Sequence, residues 1–266
     1  MQPPNLLFTA AEWPGVVNAA VTRMAAKVGP YTTPISQVTD HDNGDHWGTG
    51  SYCEFAGQRF LLTNEHVAAK LETNSLAHKF YGDDHYFRFR HAFSAIGAPY
   101  DTALVRIDDR EWTMFAHDAL AIPATLFASV HAPVETELLF ILGYTGERSQ
   151  FVYGTLFTEG TPYLARECPL PADSNCISDF HFAMNYNPAL ATPVNPKGRQ
   201  LPLPPGMSGS LVWNTRLVEQ RMCGQEWSPA DARVTGIVWG WPSDTCIVAT
   251  KVEHMQLQEL VQRATG

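Results

Sequence analysis

The sequence predicts an all-β protein: two antiparallel six-stranded β-barrels, with one α-helix ahead of them and one behind. Three observations carry that expectation. From Tyr31 onward the chain breaks into short apolar runs of strand length, separated by turn residues. The runs fall into two groups of about six, each the size of a small barrel, joined near residues 108–135. Helical spacing of apolar residues is confined to the two ends.

In chain order, Thr9-Ala10-Ala11-Glu12 has capping-box spacing, and Pro14 falls early enough for a first helical turn. Val17, Val21, Met24 and Ala25 then recur at helical spacing until Gly29-Pro30 ends the pattern. This predicts an amphipathic helix over 9–28, packed outside the main domain, in a helical extension of residues 1–30. The first barrel, residues 31–130, is expected to use TTPISQVT, TGSYCEF, RFLLTNEHV, HYFRFRHAF and TALVRI, with a turn at Gly57-Gln58. The second, within residues 131–266, is expected to use LLFILGY, QFVYGTLF, FHFAMNY, GSLVWN, RVTGIVWG and CIVATKV. A helical pattern with Val252, Met255, Leu257, Leu260 and Val261 apolar follows. The proline-laden segment 188–205 reads as an extended surface loop leading into Ser208.

Composition narrows the function. The chain has 266 residues, 45% of them hydrophobic, which is ample for a core. A formal charge of −9 argues against nucleic acid or an anionic membrane surface as the main partner. No window holds about 18 uninterrupted apolar residues, so no transmembrane helix is expected. MQPPNLLFTAAEW lacks a basic segment followed by an apolar core, so no signal peptide is expected either. Five scattered cysteines (Cys53, Cys168, Cys176, Cys223, Cys246) without a CxxC fit reduced thiols in a cytoplasmic protein, with a Cys168–Cys176 bridge as the open alternative.

Two polar clusters read as structural. His41, Asp42, Asp45 and His46 crowd into HDNGDHWG, but their spacing matches neither an EF-hand loop nor HExxH, so a polar loop before a strand is expected and no metal. GDDHYFRFRH (82–91) alternates charged and aromatic residues as a strand with an exposed polar face does. Its two arginines are too few for a nucleic-acid platform.

The chemistry points elsewhere, to PPGMSGSLVWN, residues 204–214. Gly206 and Gly209 flank Ser208 and let the backbone turn tightly. Such a turn presents a hydroxyl and aims consecutive N–H groups into one space, as acyl transfer requires. His66 lies where the apolar run RFLLTNEHV gives way to a small-residue helical turn, and Asp101 lies just ahead of TALVRI. Taken singly, each has a plain structural reading: a turn, a core histidine, a cap. Together they run His, Asp, Ser along the chain, one of the known orders for a catalytic triad, with the serine in the other barrel.

Through these pieces the chain resembles a trypsin-like (chymotrypsin-fold) serine peptidase of the bacterial, HtrA-like kind. The resemblance rests on GTGSYCEF, RFLLTNEHVAA, YDTALVRID, LLFILGYTG, PPGMSGSLVWN and VTGIVWG, in that order, over most of residues 46–252. It implies that Ser208 is the nucleophile, His66 the general base and Asp101 the residue that orients it. It implies an oxyanion hole from the N–H groups of Gly206 and Ser208, and a polypeptide substrate paired along Val238-Trp239-Gly240. No cofactor is implied.

The departures carry information. Secreted relatives hold an aspartate just before the serine, which pairs with a new N-terminus after cleavage; here it is Met207, so activation by cleavage is not expected. The position six before the serine is Pro202 and not an aspartate, so a preference for Lys or Arg is not expected. HtrA proteins add a PDZ domain, for which no residues remain after the terminal helix. A peptidase without a regulatory domain is expected to answer to a regulatory protein, with the N-terminal helix as its handle. The alternative is a catalytically inactive protease-like fold serving as a protein-binding module.

Overall fold

In the computed structural model, residues 7–38, 44–72, 75–152, 155–173, 175–193 and 200–266 are described. Helix α1 (Trp13–Val28) opens the fold, and Thr9 caps the turn before it by accepting from the Glu12 N–H at 3.2 Å. Strands β1 (Thr32–Val38), β2 (Gly44–Phe55), β3 (Gln58–Thr63), β4 (Ser75–Lys79), β5 (Tyr86–Arg88), β6 (Ser94–Ile96), β7 (Thr102–Arg106) and β8 (Ile122–Pro123) form one eight-stranded sheet. Its path runs β5-β4-β1-β2-β3-β7-β6, antiparallel throughout, with β8 parallel on β2. Two short helices interrupt it, α2 (Glu65–Ala68) after β3 and α3 (Asp109–Trp112) after β7.

The second half contains β9 (Leu139–Gly143), β10 (Ser149–Val152), β11 (Thr155–Thr158), β12 (Thr161–Ala165), β13 (Glu167–Cys168) and β14 (His181–Asn185). After them come β15 (Leu211–Asn214), helix α4 (Leu217–Met222), β16 (Arg233–Ser243), β17 (Cys246–Lys251) and helix α5 (Leu257–Thr265). Seven of these strands form a sheet in the order β12-β9-β15-β16-β17-β14-β13, and β10 and β11 pair as a separate hairpin.

The protein is mostly β with few helices, but two closed six-stranded barrels are not what the sheets show. Among the described residues the edge strands of neither sheet pair with each other. The reason is visible in the shortest strands. β5, β6, β8 and β13 are two or three residues long, extending the sheets without the reach to close them. Likewise the tight turn after β2 is centred on Ala56-Gly57, with φ +50° and +73°, not on Gly57-Gln58. Those paired left-handed residues match the twist of a two-residue hairpin.

Helix α1 is not an outlying helix. Trp13, Ala20, Val21, Met24 and Val28 are buried in the largest core cluster with Phe60, Leu62 and Leu104 of the first sheet and Phe140, Leu211 and Trp213 of the second. Leu260 of α5 closes the same cluster. The apolar stripe read from the sequence is therefore spent on the seam between the two sheets, and only the polar face of α1 is left for a partner. Of the proline-laden loop, residues 194–199 lie outside the described residues.

α4 was not legible as a helix, because its first turn is held from far away. The buried Glu137 carboxylate accepts from the N–H groups of Val218 (3.1 Å) and Glu219 (3.0 Å) and from the Thr215 hydroxyl (3.1 Å). It thereby satisfies donors that a helix start leaves unpaired.

Candidate active site

Strand β3 ends at Thr63, and the buried Asn64 leads directly into α2, whose second residue is His66. The Asn64 amide donates to the Asp101 carbonyl at 2.8 Å, tying this corner to the loop before β7. Asp101 then grips His66 twice: Oδ2 lies 2.7 Å from ring Nδ1, and Oδ1 accepts the His66 backbone N–H at 3.1 Å. Nδ1 must carry the proton, because a carboxylate only accepts, so in the neutral ring the lone pair is on Nε2. The aspartate side chain is 14% exposed and the imidazole 44%, an acid under cover beside a ring open to solvent.

Asp101 reaches that position with φ +47°, a left-handed conformation that costs a non-glycine residue energy. The loop is held there from several sides. The N–H groups of Tyr100 and Asp101 both donate to the Gly97 carbonyl, at 3.1 and 3.2 Å. The second half supplies two more anchors, His181 Nε2 to the Pro99 carbonyl (2.8 Å) and the Thr250 hydroxyl to the Tyr100 carbonyl (3.0 Å). The Ile177 N–H donates to the His181 Nδ1 at 3.0 Å, so the ring is neutral and donates through Nε2, and burial lowers its pKa in the same sense. Histidine 181 and Thr250 carry no motif that singles them out in the sequence.

Ser208 follows Gly206-Met207 in a loop whose peptide groups are nearly all committed. The Pro205 carbonyl accepts from Gly146 N (3.2 Å), and the Met207 N–H donates to the Pro204 carbonyl (2.8 Å). Ser210 N donates to the Met207 carbonyl (3.0 Å), Thr49 N to the Ser208 carbonyl (2.8 Å), and Gly209 N to the Val238 carbonyl (2.9 Å). Among the described residues, the N–H groups of Gly206 and Ser208 donate to nothing. Each belongs to a peptide whose carbonyl is already held, Pro205 by Gly146 N and Met207 by Ser210 N, which leaves both N–H groups without a partner in the loop. Such a pair can receive developing negative charge.

Two glycines make the loop possible. Gly206 has φ +98°, and a Cβ there would lie 2.5 Å from the His46 ring. Gly209 has φ +89°, and a Cβ there would lie 1.9 Å from the Thr49 carbonyl oxygen and 2.5 Å from Thr63 Oγ1. The serine loop thus sits directly on β2 and on the end of the strand that leads to His66. No hydrogen bond joins the Ser208 hydroxyl to the His66 ring among the described residues. Such bonds are often long before a substrate arrives. Met207 is fully buried among Leu139, Ile141, Phe182 and Val212, an apolar anchor where relatives of the resembled family carry an aspartate. The Pro202 carbonyl is capped by the buried Tyr186 hydroxyl at 2.8 Å.

Val238, Trp239 and Gly240 lie on β16 beside this loop. Val238 is joined to it in both directions, since its N–H also donates to the Ser210 carbonyl at 2.9 Å. The pairing of β16 with β15 ends at Ile237, while β17 continues opposite Gly240. Among the described residues, no strand pairs with the other edge of residues 239–241, which suits an added strand.

The cluster in HDNGDHWG resolves differently from a polar loop. His41 and Asp42 lie outside the described residues; His46 belongs to β2 and turns inward, Nε2 reaching the carbonyls of Tyr144 (3.1 Å) and Gly206 (3.2 Å). Asp83, Asp84 and Asp108, which compete with Asp101 in sequence, pair instead with His85 (2.7 Å), Lys79 (3.1 Å) and His91 (3.0 Å). All five cysteines are free thiols, so the Cys168–Cys176 bridge is not formed. No helix among the described residues is long and apolar enough to cross a membrane.

Two solved structures are similar to the chain over most of its length. One is the protease domain of MamO from Magnetospirillum magneticum, in its apo form, with TM-score 0.49 and 13% identity over 87% of this chain and 96% of that one. The other comes from work on the coupled folding and binding of the intrinsically disordered Sesbania mosaic virus VPg protein, with TM-score 0.43 and 12% identity over 88% of this chain and 92% of that one. No protein-family model and no curated protein matches the sequence.

Proposed function

We propose that the protein is a trypsin-like serine endopeptidase, cytoplasmic, with Ser208, His66 and Asp101 as its triad. The observation that carries this reading is the serine loop itself: the N–H groups of Gly206 and Ser208 have no partner among the described residues, and the loop packs against the end of the strand that leads to an imidazole gripped by a carboxylate. In the forward step, the Ser208 Oγ attacks the peptide carbonyl carbon while His66 Nε2 takes the hydroxyl proton. The N–H groups of Gly206 and Ser208 stabilise the oxyanion, and Asp101 stabilises the imidazolium. His66 then gives the proton to the leaving amine as the C–N bond breaks, and water repeats the sequence on the acyl-enzyme. The substrate backbone adds along Val238, Trp239 and Gly240.

Covalent labelling tests this. A fluorophosphonate is expected to modify wild-type protein at Ser208, located by peptide mass mapping, and to leave Ser208→Ala unmodified. Equal labelling of the two would remove Ser208 from the mechanism. A second reading, a protease-like fold that binds polypeptides without cutting them, draws on the missing bond between the Ser208 hydroxyl and His66. It predicts no labelling of wild type, so the same measurement separates the two.

A further inference from the structure

Strand β2 of the first half grips the Gly206–Ser208 loop of the second with three hydrogen bonds. The Thr49 hydroxyl donates to the Gly206 carbonyl at 2.9 Å, His46 Nε2 reaches the same carbonyl at 3.2 Å, and Thr49 N donates to the Ser208 carbonyl at 2.8 Å. We propose that His46 and Thr49 are positioning residues that hold the two free N–H groups of this loop outward, and so keep the oxyanion hole open. The proposal rests on the peptidase reading above.

The loop has one simple alternative. If the Pro205–Gly206 peptide turned over, its carbonyl would face the Ser208 N–H three residues on, closing a tight turn and consuming the hole. Three things oppose that turn. The Pro205 carbonyl is taken by Gly146 N, and the Gly206 carbonyl on the next peptide is held by two donors at once. The third is the position of the grip. Thr49 is fully buried, and its hydroxyl also accepts the Tyr144 N–H at 3.0 Å, so it cannot rotate away without orphaning that donor.

His46 is suited to the same task. Both of its contacts are carbonyl oxygens, so Nε2 carries the proton. Its Nδ1 is shut off from solvent with no partner among the described residues, and burial holds the ring below the ordinary histidine pKa, which favours the neutral form. The ring lies so close to Gly206 that no side chain fits at that position. With Met207 buried as an apolar anchor, no ion pair at the residue before the serine is available to order the loop. The hydrogen bonds from β2 supply that order instead.

The test is the second-order rate constant for modification of Ser208 by a fluorophosphonate, whose phosphoryl oxygen occupies the hole. Thr49→Val and His46→Ala are each expected to slow it by about 10²-fold, the cost of a small misplacement of reacting groups. Thr49→Ser and His46→Gln, which keep a donor, are expected to recover most of the rate. The pH–rate profile, which reports the His66 base, is expected to keep its shape in all four. Thr49→Val and His46→Ala folding normally and reacting within about threefold of wild type would overturn the proposal. If His46→Ala does not fold, the Thr49→Val and Thr49→Ser pair decides, and equal rates in those two would overturn it. A wild-type protein with no label at Ser208 would overturn the peptidase reading and this inference together.

Discussion

The carboxylate of Asp101 holds His66 at two points, the ring nitrogen Nδ1 at 2.7 Å and the backbone N–H at 3.1 Å. The second bond matters as much as the first, because it ties the acid to the backbone of the residue whose ring it orients. Asp101→Asn would replace an acceptor by an amide able to donate to Nδ1, favouring the tautomer with the proton on Nε2. The variant is expected to fold normally and to lose about four orders of magnitude in activity near neutral pH. Asp83→Asn, Asp84→Asn and Asp108→Asn are expected to stay within a few-fold of wild type, since those acids serve His85, Lys79 and His91. Nearly full turnover in Asp101→Asn would remove it from the site.

Gly209 allows a sharper expectation. With φ +89° and a would-be Cβ 1.9 Å from the backbone oxygen of Thr49, Gly209→Ala has no rotamer that relieves the clash. The obstacle is backbone, so β2 and the serine loop must separate. A loss of about 3 kcal/mol in unfolding free energy is expected, from the combined strain and broken inter-sheet contact. Chemical denaturation measures it. A loss under about 1 kcal/mol would mean that the two halves yield at this point.

What the sequence discloses and what it hides divide along a physical line. Strands buried on both faces, such as Leu139–Gly143 and the Ala103–Leu104–Val105 stretch of Thr102–Arg106, appear as continuous apolar runs because each of those residues is buried. Helix α1 shows its stripe because one face alone is buried. The candidate residues His66, Asp101 and Ser208 stand out because each sits at a punctuation point between texture and turn. Thr49 and His181 do not, His46 shows only as one member of a polar cluster, and their contacts explain why. They bond to backbone carbonyls 82 to 160 residues away, and a carbonyl leaves no mark of residue type. Sheet closure is hidden for a related reason, since whether edge strands meet depends on two- and three-residue strands that carry no periodicity.

The thiols give a third expectation. Cys168, Cys176 and Cys246 gather beside Trp239 in one small cluster, all free. Burial pushes the Cys168 thiol up to about 11, with Cys246 and Glu167 adding to it, and burial raises Cys176 as well. At neutral pH those two are protonated and poor nucleophiles. Iodoacetamide is therefore expected to label the exposed Cys223 well before Cys168, and dithiothreitol to leave the thermal midpoint unchanged. A fall of more than about 4 °C in reducing agent would reveal a disulfide contributing on the order of 2 kcal/mol.

The last expectation is a pH dependence of stability rooted in His46. Burial lowers its pKa in the folded protein from the ordinary 6.5, and the bonds to Gly206 and Tyr144 only partly oppose that. Below 6.5 the unfolded chain takes up a proton at this residue that the folded protein resists. The contribution of His46 is therefore fully present above that pH and is lost as pH falls through the lowered folded value. His181, also lowered chiefly by burial, acts with the same sign in the same window. Asp83 belongs to a lower window. Burial opposes its ionisation, yet the bonds from His85 hold it below the ordinary carboxylate value of 3.8. Unfolding free energy measured by urea from about pH 8 down to about pH 5 is thus expected to fall in wild type. In His46→Gln, which keeps a donor and cannot titrate, the fall is expected to be shallower, with the part owed to His181 remaining. Parallel curves for the two proteins would show that the His46 ring is free to take up its proton in the fold. That would also deny it the fixed, neutral, donating state in which it grips Gly206.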